Sequence, residues 1–205
     1  MTTGIAPQLE LSGMELEHAA EMLAREAHDG QMYDDLPIAP GVERRTYADG
    51  HLVPVVNFMR ACGFGSRAIA GGWLHDTPED TNVTLEDMLE RGIPEGVTHS
   101  VDVVTKKDGI DYNEPEELMK YLRAIAEDED ATMIKFSDSS INYANCVLLQ
   151  PIVRPARLVK RVRRYRTTIS FLGPLVEGID VEAAQELWDT GRYHPQQREI
   201  LAQGT

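Results

Sequence analysis

The chain has 205 residues, of which 42% are hydrophobic and 6% aromatic, a composition typical of one soluble globular domain. Its formal net charge of −14 argues against broad binding to nucleic acids or membranes, because both attract a basic surface. No apolar run approaches the roughly 18–20 residues that span a bilayer, and residues 1–11 lack the basic start and apolar core of a signal peptide.

Almost every predicted element is a helix. Over 15–28, apolar or small residues recur with the period of an amphipathic helix, and Gly30 is expected to end it. Residues 33–50 are punctuated by proline and glycine and predict a long loop. Two further helices are expected over 51–62 and 66–76.

The helix over 66–76 is expected to end near its His-Asp dipeptide, because Pro78 disfavours helical geometry at Thr77. Thr84, with an acid three residues later at Asp87, predicts the N-cap of a short helix. The remaining helices are expected over 84–91, 94–106, 114–127, 131–149, 157–172 and 181–187.

No repeat, low-complexity tract or clear strand alternation interrupts this helical pattern. We therefore predict an all-α fold. Its main domain is expected over 15–180, after an N-terminal segment, 1–14, and before a C-terminal helical extension, 181–205.

The chain has only two cysteines, Cys62 and Cys146. Their number and separation provide neither a disulfide framework nor a thiolate metal site. We therefore expect a protein of the reducing cytoplasm.

Three separate pieces of sequence supply candidate ligands for a metal ion: His51, the pair His75-Asp76, and Asp138. Asp138 interrupts an otherwise apolar helix, where a carboxylate needs a partner. Lys135, three residues earlier, is one candidate partner. A cation bound by two imidazoles and two carboxylates explains all four residues together and suits Mn²⁺, with Zn²⁺ or Fe²⁺ as alternatives.

The order of these residues resembles that of the HD superfamily of metal-dependent phosphohydrolases, which implies a helical bundle with a metal site between helices. Four motifs narrow the resemblance to the alarmone hydrolase domain of the RelA/SpoT family. They are Ala27-His28-x-Gly30-Gln31, Leu74-His75-Asp76-x-x-Glu79-Asp80-Thr81, Val103-Val104-Thr105-Lys106 and Ile134-Lys135-Phe136-Ser137-Asp138-x-x-x-Asn142. The match covers roughly residues 15–150. The chain as a whole resembles a stand-alone small alarmone hydrolase.

The resemblance implies a role for each aligned residue. The metal ligands would be His51, His75, Asp76 and Asp138. Glu79 and Asp80 would be the catalytic pair that handles the attacking water. A bound divalent ion lowers the pKa of water from about 15.7 toward about 7–9, so one of these carboxylates can take its proton near neutral pH.

The residues expected to bind substrate are Asn142, Tyr33 and Lys106. Asn142 aligns with a residue that lines the nucleotide pocket, and Lys106 could reach a phosphate. Tyr33 and Asp34 stand where the family usually has a basic pair, whose arginine stacks on guanine. Tyr33 could still stack on a base, whereas Asp34 cannot replace a lysine. Guanine, adenine and other nucleotides therefore stay open as substrates.

The activity implied by the resemblance is removal of the 3′-pyrophosphate from (p)ppGpp- or ppApp-type alarmones, a reaction of the stringent response. Some stand-alone hydrolases of this family are antitoxins of an alarmone-synthetase toxin. Two alternatives stay open. One is a generic HD phosphatase acting on another nucleotide, such as the 2′-phosphate of NADPH, or on a phosphorylated RNA end. The other is a protein that neutralises a toxin by binding alone.

Basic residues are unevenly spread, since seven of the 20 lie between Arg154 and Arg166. The cluster Arg157–Arg166 has three interpretations: a surface face that balances the acidic chain, a subunit contact in a homo-oligomer, or a strip that binds phosphate or RNA. The surface interpretation is favoured.

Overall fold

The computed structural model describes residues 11–33, 45–149 and 155–176. Within these ranges the chain forms nine α-helices and no β-strand, apart from an isolated bridge between Met32 and Thr46. The predicted all-α fold is confirmed. The helices are α1 Gly13–Ala27, α2 Val53–Ala61, α3 Ser66–Leu74, α4 Thr77–Asp80, α5 Leu85–Glu90, α6 Glu95–Val104, α7 Pro115–Ile125, α8 Glu129–Leu149 and α9 Pro155–Leu172.

Three predicted parts lie wholly or partly outside the described residues. They are the N-terminal segment up to residue 10, residues 34–44 of the expected loop, and the C-terminal extension 181–205 with its helix.

The loop expected over 33–50 ends earlier than predicted. A π-helical turn, Ala48–Leu52, leads directly into α2. His51 therefore lies in this turn rather than at the first residue of α2. Such turns are rare in proteins and often lie at functional sites, because they change the direction in which side chains point.

The helix expected over 66–76 is shorter than predicted and ends at Leu74. Pro78 lies in the first turn of the next helix, α4. Proline is favoured there because its missing N–H would have no partner at the start of a helix. His75 and Asp76 therefore occupy the turn between α3 and α4.

Helix α3 is central to the fold, since it packs against α1, α2, α6 and α8. Two glycines make this close packing possible. A Cβ on Gly71 would lie 2.4 Å from Ile134 Cδ1 of α8, and one on Gly72 would lie 2.4 Å from Met59 Sδ of α2. The end of α3 is thereby held against the helices that carry or adjoin the other candidate ligands.

Helix α9 packs against α7 and α8. Its last residue, Leu172, is fully buried and anchors it to the core. A short 3₁₀ turn, Gly173–Leu175, follows. In the described part of the chain, no helix combines the length and the apolar character that crossing a bilayer requires.

Candidate active site

Two imidazoles and two carboxylates converge where the end of α3 meets α8 and the π-helical turn. The Nε2 atoms of His51 and His75 lie 3.3 Å apart. Asp76 Oδ2 lies 3.1 Å from His51 Nε2 and 3.0 Å from His75 Nε2, and Asp138 Oδ1 lies 3.4 and 3.6 Å from the same two atoms. The structure thus brings together all four residues predicted as metal ligands. Three of them, His51, His75 and Asp138, form a buried group that could hold a metal ion.

The separations within this cluster suit a single divalent ion. Nitrogen and oxygen ligands bound to one ion at about 2.1 Å lie about 3.0–3.4 Å from each other, whether the geometry is octahedral or tetrahedral. Four of the five observed distances, 3.0, 3.1, 3.3 and 3.4 Å, fall in this range, and the fifth, between His75 and Asp138, is slightly longer at 3.6 Å. The donor set of two imidazoles and two carboxylates fits Mn²⁺, Fe²⁺ or Zn²⁺.

Hydrogen bonds orient two of the ligands toward this centre. His75 Nδ1 lies 2.7 Å from the carbonyl oxygen of Gly72, to which it donates, so Nε2 of the neutral ring is left as a metal-binding acceptor. The Tyr47 hydroxyl donates to Asp76 Oδ2 at 2.5 Å. Burial and the charge of Asp76 raise the pKa of Tyr47, so its hydroxyl stays a donor.

Each oxygen of Asp138 has its own partner. Lys135 Nζ donates to Oδ2 at 2.8 Å, and Asn142 Nδ2 donates to Oδ1, the oxygen that faces the histidines, at 2.5 Å. The two explanations of the buried Asp138 carboxylate, a lysine partner and a metal ion, are therefore compatible. Asn142 orients a candidate ligand in addition to lining the adjoining cavity.

The electrostatic environment favours a positive charge at the centre of the cluster. Burial lowers the pKa of His51 and His75, but Asp76 and Asp138 more than offset it and raise the pKa of His75 to about 10. Burial likewise opposes ionisation of Asp138, but Lys135 and the two histidines hold its pKa well below the usual range. A divalent cation would satisfy the same field that otherwise draws protons onto the imidazoles.

The predicted catalytic pair, Glu79 and Asp80, lies on α4, directly after the turn that contains His75 and Asp76. Glu79 accepts hydrogen bonds from the Lys106 backbone N–H at 2.7 Å and from Lys106 Nζ at 3.0 Å. Asp80 is exposed, and its carboxylate has no hydrogen-bond or ion-pair partner among the described residues. Gln31 instead donates to its backbone carbonyl at 2.8 Å. Glu79 is therefore fixed, whereas Asp80 is available to a water or substrate.

The Ala-His-x-Gly-Gln motif packs against Tyr47, the residue that donates a hydrogen bond to the candidate ligand Asp76. His28 is buried, and its Nδ1 lies 2.7 Å from Gln31 Oε1. Its ring stacks on Tyr47 with 4.7 Å between ring centroids. His28 therefore helps to hold the tyrosine that binds Asp76 and lies outside the ligand set.

Tyr33 is buried against the cluster. Its ring stacks on His51 with centroids 5.7 Å apart, and Asn145 donates to its hydroxyl at 3.1 Å. A Cβ on Gly50 would lie 2.6 Å from Tyr33 Cβ, so this approach requires glycine. One face of the ring thus packs on a candidate ligand. Asp34 lies outside the described residues.

A cavity of about 380 Å³ opens beside the cluster. Its walls include Lys106 and the predicted catalytic pair, Glu79 and Asp80, which we call the acid pair. They also include two residues of α9 that were not predicted from the sequence, Arg161 and Tyr165. The sequence interpretation had favoured the surface for this basic cluster. The available signal was spacing, because residues four apart share one face of a helix. Burial and the charge of Asp138 raise the pKa of Tyr165, in keeping with a place beside the metal ligands.

No protein-family model matches the chain. The chain is 30% identical over 138 residues to a probable GTP pyrophosphokinase of Mycobacterium leprae, covering 66% of this chain and 16% of that protein. It is 28% identical over 188 residues to a guanosine-3′,5′-bis(diphosphate) 3′-pyrophosphohydrolase of Haemophilus influenzae, covering 88% of this chain and 25% of that protein. The chain therefore spans a quarter or less of the length of these curated relatives.

A solved structure shows the same fold. It belongs to a metazoan ortholog of SpoT that hydrolyses ppGpp and plays a role in starvation responses. The two structures superpose with a TM-score of 0.61 at 19% identity, over 92% of this chain and 97% of the other. The predicted helical fold and the family resemblance inferred from the motifs are confirmed.

Proposed function

Because this chain is a relative of the RelA/SpoT alarmone enzymes and shares the HD-domain fold of a SpoT ortholog, we propose that it is a metal-dependent alarmone hydrolase. The reaction is removal of the 3′-pyrophosphate from (p)ppGpp- or ppApp-type nucleotides. One observation carries the proposal. The Nε2 atoms of two histidines lie 3.3 Å apart, and Asp76 and Asp138 each place a carboxylate oxygen 3.0 to 3.6 Å from both of them, at the wall of a cavity that also contains Asp80.

The ion would be held by His51, His75, Asp76 and Asp138. Mn²⁺ suits two imidazoles and two carboxylates without thiolates, and Zn²⁺ and Fe²⁺ are the alternatives. A bound divalent ion lowers the pKa of water toward about 7–9, which supplies hydroxide near neutral pH.

Asp80 is the general base in this proposal. Although the residue reaches solvent, partial burial of its carboxylate and the neighbouring charges of Asp76 and Glu79 raise its pKa, which makes it a stronger base than an ordinary aspartate. Glu79 positions Lys106 through two hydrogen bonds and contributes negative charge beside Asp80. The two acids therefore have different tasks, one accepting a proton and the other fixing a cation.

Lys106 and Arg161 bind the phosphates of the substrate. Four carboxylates in the same cavity would repel a pyrophosphate, so cationic groups are needed to offset them. Arg161 can present two parallel N–H donors to phosphate oxygens, and Lys106 presents a compact charge.

The test is a comparison of substrates. Purified protein with Mn²⁺ is incubated separately with ppGpp, ppApp, NADPH and a 5′-phosphorylated RNA, and the products are separated. We expect pyrophosphate from ppGpp or ppApp, loss of turnover with EDTA, and recovery when Mn²⁺ is returned. If pyrophosphate were released from neither ppGpp nor ppApp, the proposal would be contradicted. Orthophosphate from NADPH or RNA would instead assign a general HD phosphatase.

In the cytoplasm, such a hydrolase would neutralise an alarmone-synthetase toxin by degrading its product. Cells that produce such a toxin are expected to recover growth with the wild-type chain and not with Asp80→Asn. Recovery with the inactive variant would show that neutralisation depends on binding to the toxin.

A further inference from the structure

A second cavity, of about 390 Å³, lies between α9 and the start of α7. The residues of α9 that line it include Lys160, Arg163 and Arg164, and the opposite wall includes Tyr112 and Leu118. None of the four candidate metal ligands, which we call the metal cluster, lines this cavity, and neither do Glu79 and Asp80. The proposed hydrolysis therefore leaves this cavity without a task.

The charged groups of this cavity favour an anion. Among the described residues, three cationic side chains and the carboxylate of Glu114 line it, and Asp111 lies close enough for its charge to interact with Lys160 and Arg164. The cations still outnumber these two carboxylates. Lys160 and Arg163 are exposed and form no ion pair within the described residues. Arg164 lies over the ring of Tyr165, with 5.1 Å from its guanidinium carbon to the ring centroid. Such a concentration of positive charge stands out on a chain whose net charge is −14.

The apolar wall adds a second requirement on the ligand. Tyr112 and Leu118 are each 7% exposed, and Met119 lies beside them in the lining. A cavity with an aromatic and aliphatic wall and a few convergent polar groups suits a small molecule that has both an apolar ring and an anionic group. Inorganic phosphate alone would make no contact with an apolar wall of this kind.

The basic cluster Arg157–Arg166 is thus divided between two cavities. Arg161 and Tyr165 line the cavity beside the metal cluster, while Lys160, Arg163 and Arg164 line the second one.

We propose that the second cavity binds a phosphate-bearing nucleotide. Its phosphates lie against Lys160, Arg163 and Arg164, and its ring system lies against Tyr112 and Leu118. The site is separate from the metal cluster, so this inference stands whether or not the chain hydrolyses alarmones.

The test is equilibrium dialysis of the metal-loaded full chain against ADP, with adenosine and inorganic pyrophosphate as comparison probes. ADP is expected to bind, and the double variant Lys160→Ala/Arg163→Ala is expected to weaken ADP binding by about tenfold or more, because two charge-assisted contacts are lost. Glu114→Gln is expected to strengthen it. Arg166→Ala is the matched control, since this arginine is exposed on the same helix and lines neither cavity.

Three results would overturn the proposal. ADP binding that responds to Arg161→Ala and not to the double variant would place ADP in the cavity beside the metal cluster. Equal binding of adenosine and ADP would remove the phosphate requirement. A single-stranded RNA that binds more tightly than ADP and loses affinity in the double variant would make this an RNA surface. The double variant is expected to keep its alarmone turnover, so failure of this proposal is distinguishable from failure of the hydrolase proposal.

Discussion

The two cavities on either side of α9 are nearly equal in volume, about 380 and 390 Å³, and opposite in charge. The cavity beside the metal cluster contains four carboxylates, with Lys106 and Arg161 as its cationic side chains. The second has three cationic side chains and one carboxylate. A carboxylate-rich cavity can accept a phosphate only when a metal ion or added cations reverse its charge, whereas a cationic cavity needs no such help. The charge of the lining residues, and not the cavity volume, therefore distinguishes the candidate catalytic site from the candidate binding site.

The largest effect is expected from removing the carboxylate that joins the metal centre to the core. Asp138→Ala should abolish metal binding and turnover, and it should destabilise the fold by about 3–5 kcal/mol because the buried Lys135 loses its partner. Calorimetry with and without Mn²⁺ measures the losses of metal binding and of stability, and release of pyrophosphate from the alarmone measures the loss of turnover.

Asp102→Ala is the control for this change. Asp102 is a surface carboxylate whose pair with Lys107 is half exposed, so its removal should cost about 1 kcal/mol or less. If Asp138→Ala kept the Mn²⁺-dependent rise in Tm, Asp138 would not be a metal ligand.

Removing the general base should stop the chemistry and leave the metal in place. Asp80→Asn is expected to lower kcat by about 10²–10⁴-fold, the usual contribution of a positioned base. Mn²⁺ binding, followed by calorimetric titration, should stay at the wild-type affinity. The exposed Asp108→Asn serves as control, and near-normal kcat in Asp80→Asn would assign the base to another group.

Two arginines of one helix should behave differently if the two cavities have different tasks. Arg161→Ala is expected to lower kcat/KM by about 10–100-fold, because one charge-assisted contact with the substrate phosphate is lost. Arg163→Ala should leave kcat/KM unchanged. Steady-state kinetics with the preferred alarmone measures both, and equal losses in the two variants would erase the distinction between the cavities.

The smallest effect is a shift in pH dependence. Burial and the charges of Asp76 and Glu79 raise the pKa of Asp80, and Asp80 can act only when ionised. The rate should therefore fall as the pH drops through this raised pKa. Glu79→Gln removes one negative charge, so the pKa of Asp80 should decrease and the acid limb should move to lower pH.

The pH profile of kcat/KM for Glu79→Gln, with the exposed Glu90→Gln as control, measures the position of that limb. A limb that stays in place or moves to higher pH would show that Asp80 is not the titrating base.

Much of the fold could be predicted from the sequence because helices leave a periodic apolar pattern and local boundary signals. The capping box at Thr84 and Asp87 is an example, since both of its reciprocal hydrogen bonds form. The π-helical turn at His51 was not predicted, because it depends on how neighbouring helices pack and not on periodicity. The end of α3 beside the His-Asp pair was predicted from Pro78, but the new helix that starts at Thr77 was not.

The chemistry of the site could be anticipated from residue types and their order, but not from geometry. His75 and Asp76 are adjacent in the chain, whereas His51 and Asp138 reach them only through the packing of α2 and α8 on α3. The role of Tyr47 was hidden for the same reason, since its hydroxyl meets a carboxylate 29 residues away.

By itself, the sequence determined that this is a helical protein with an imidazole and carboxylate set suited to a divalent ion, because those signals are local or reside in side-chain chemistry. Only the tertiary structure decided how the basic cluster is divided. The spacing of Arg161 and Tyr165 shows that they share a face of α9, but the neighbours of each face depend on how α9 packs against α7 and α8. Contacts between distant parts of a chain arise from packing, which residue order alone does not specify.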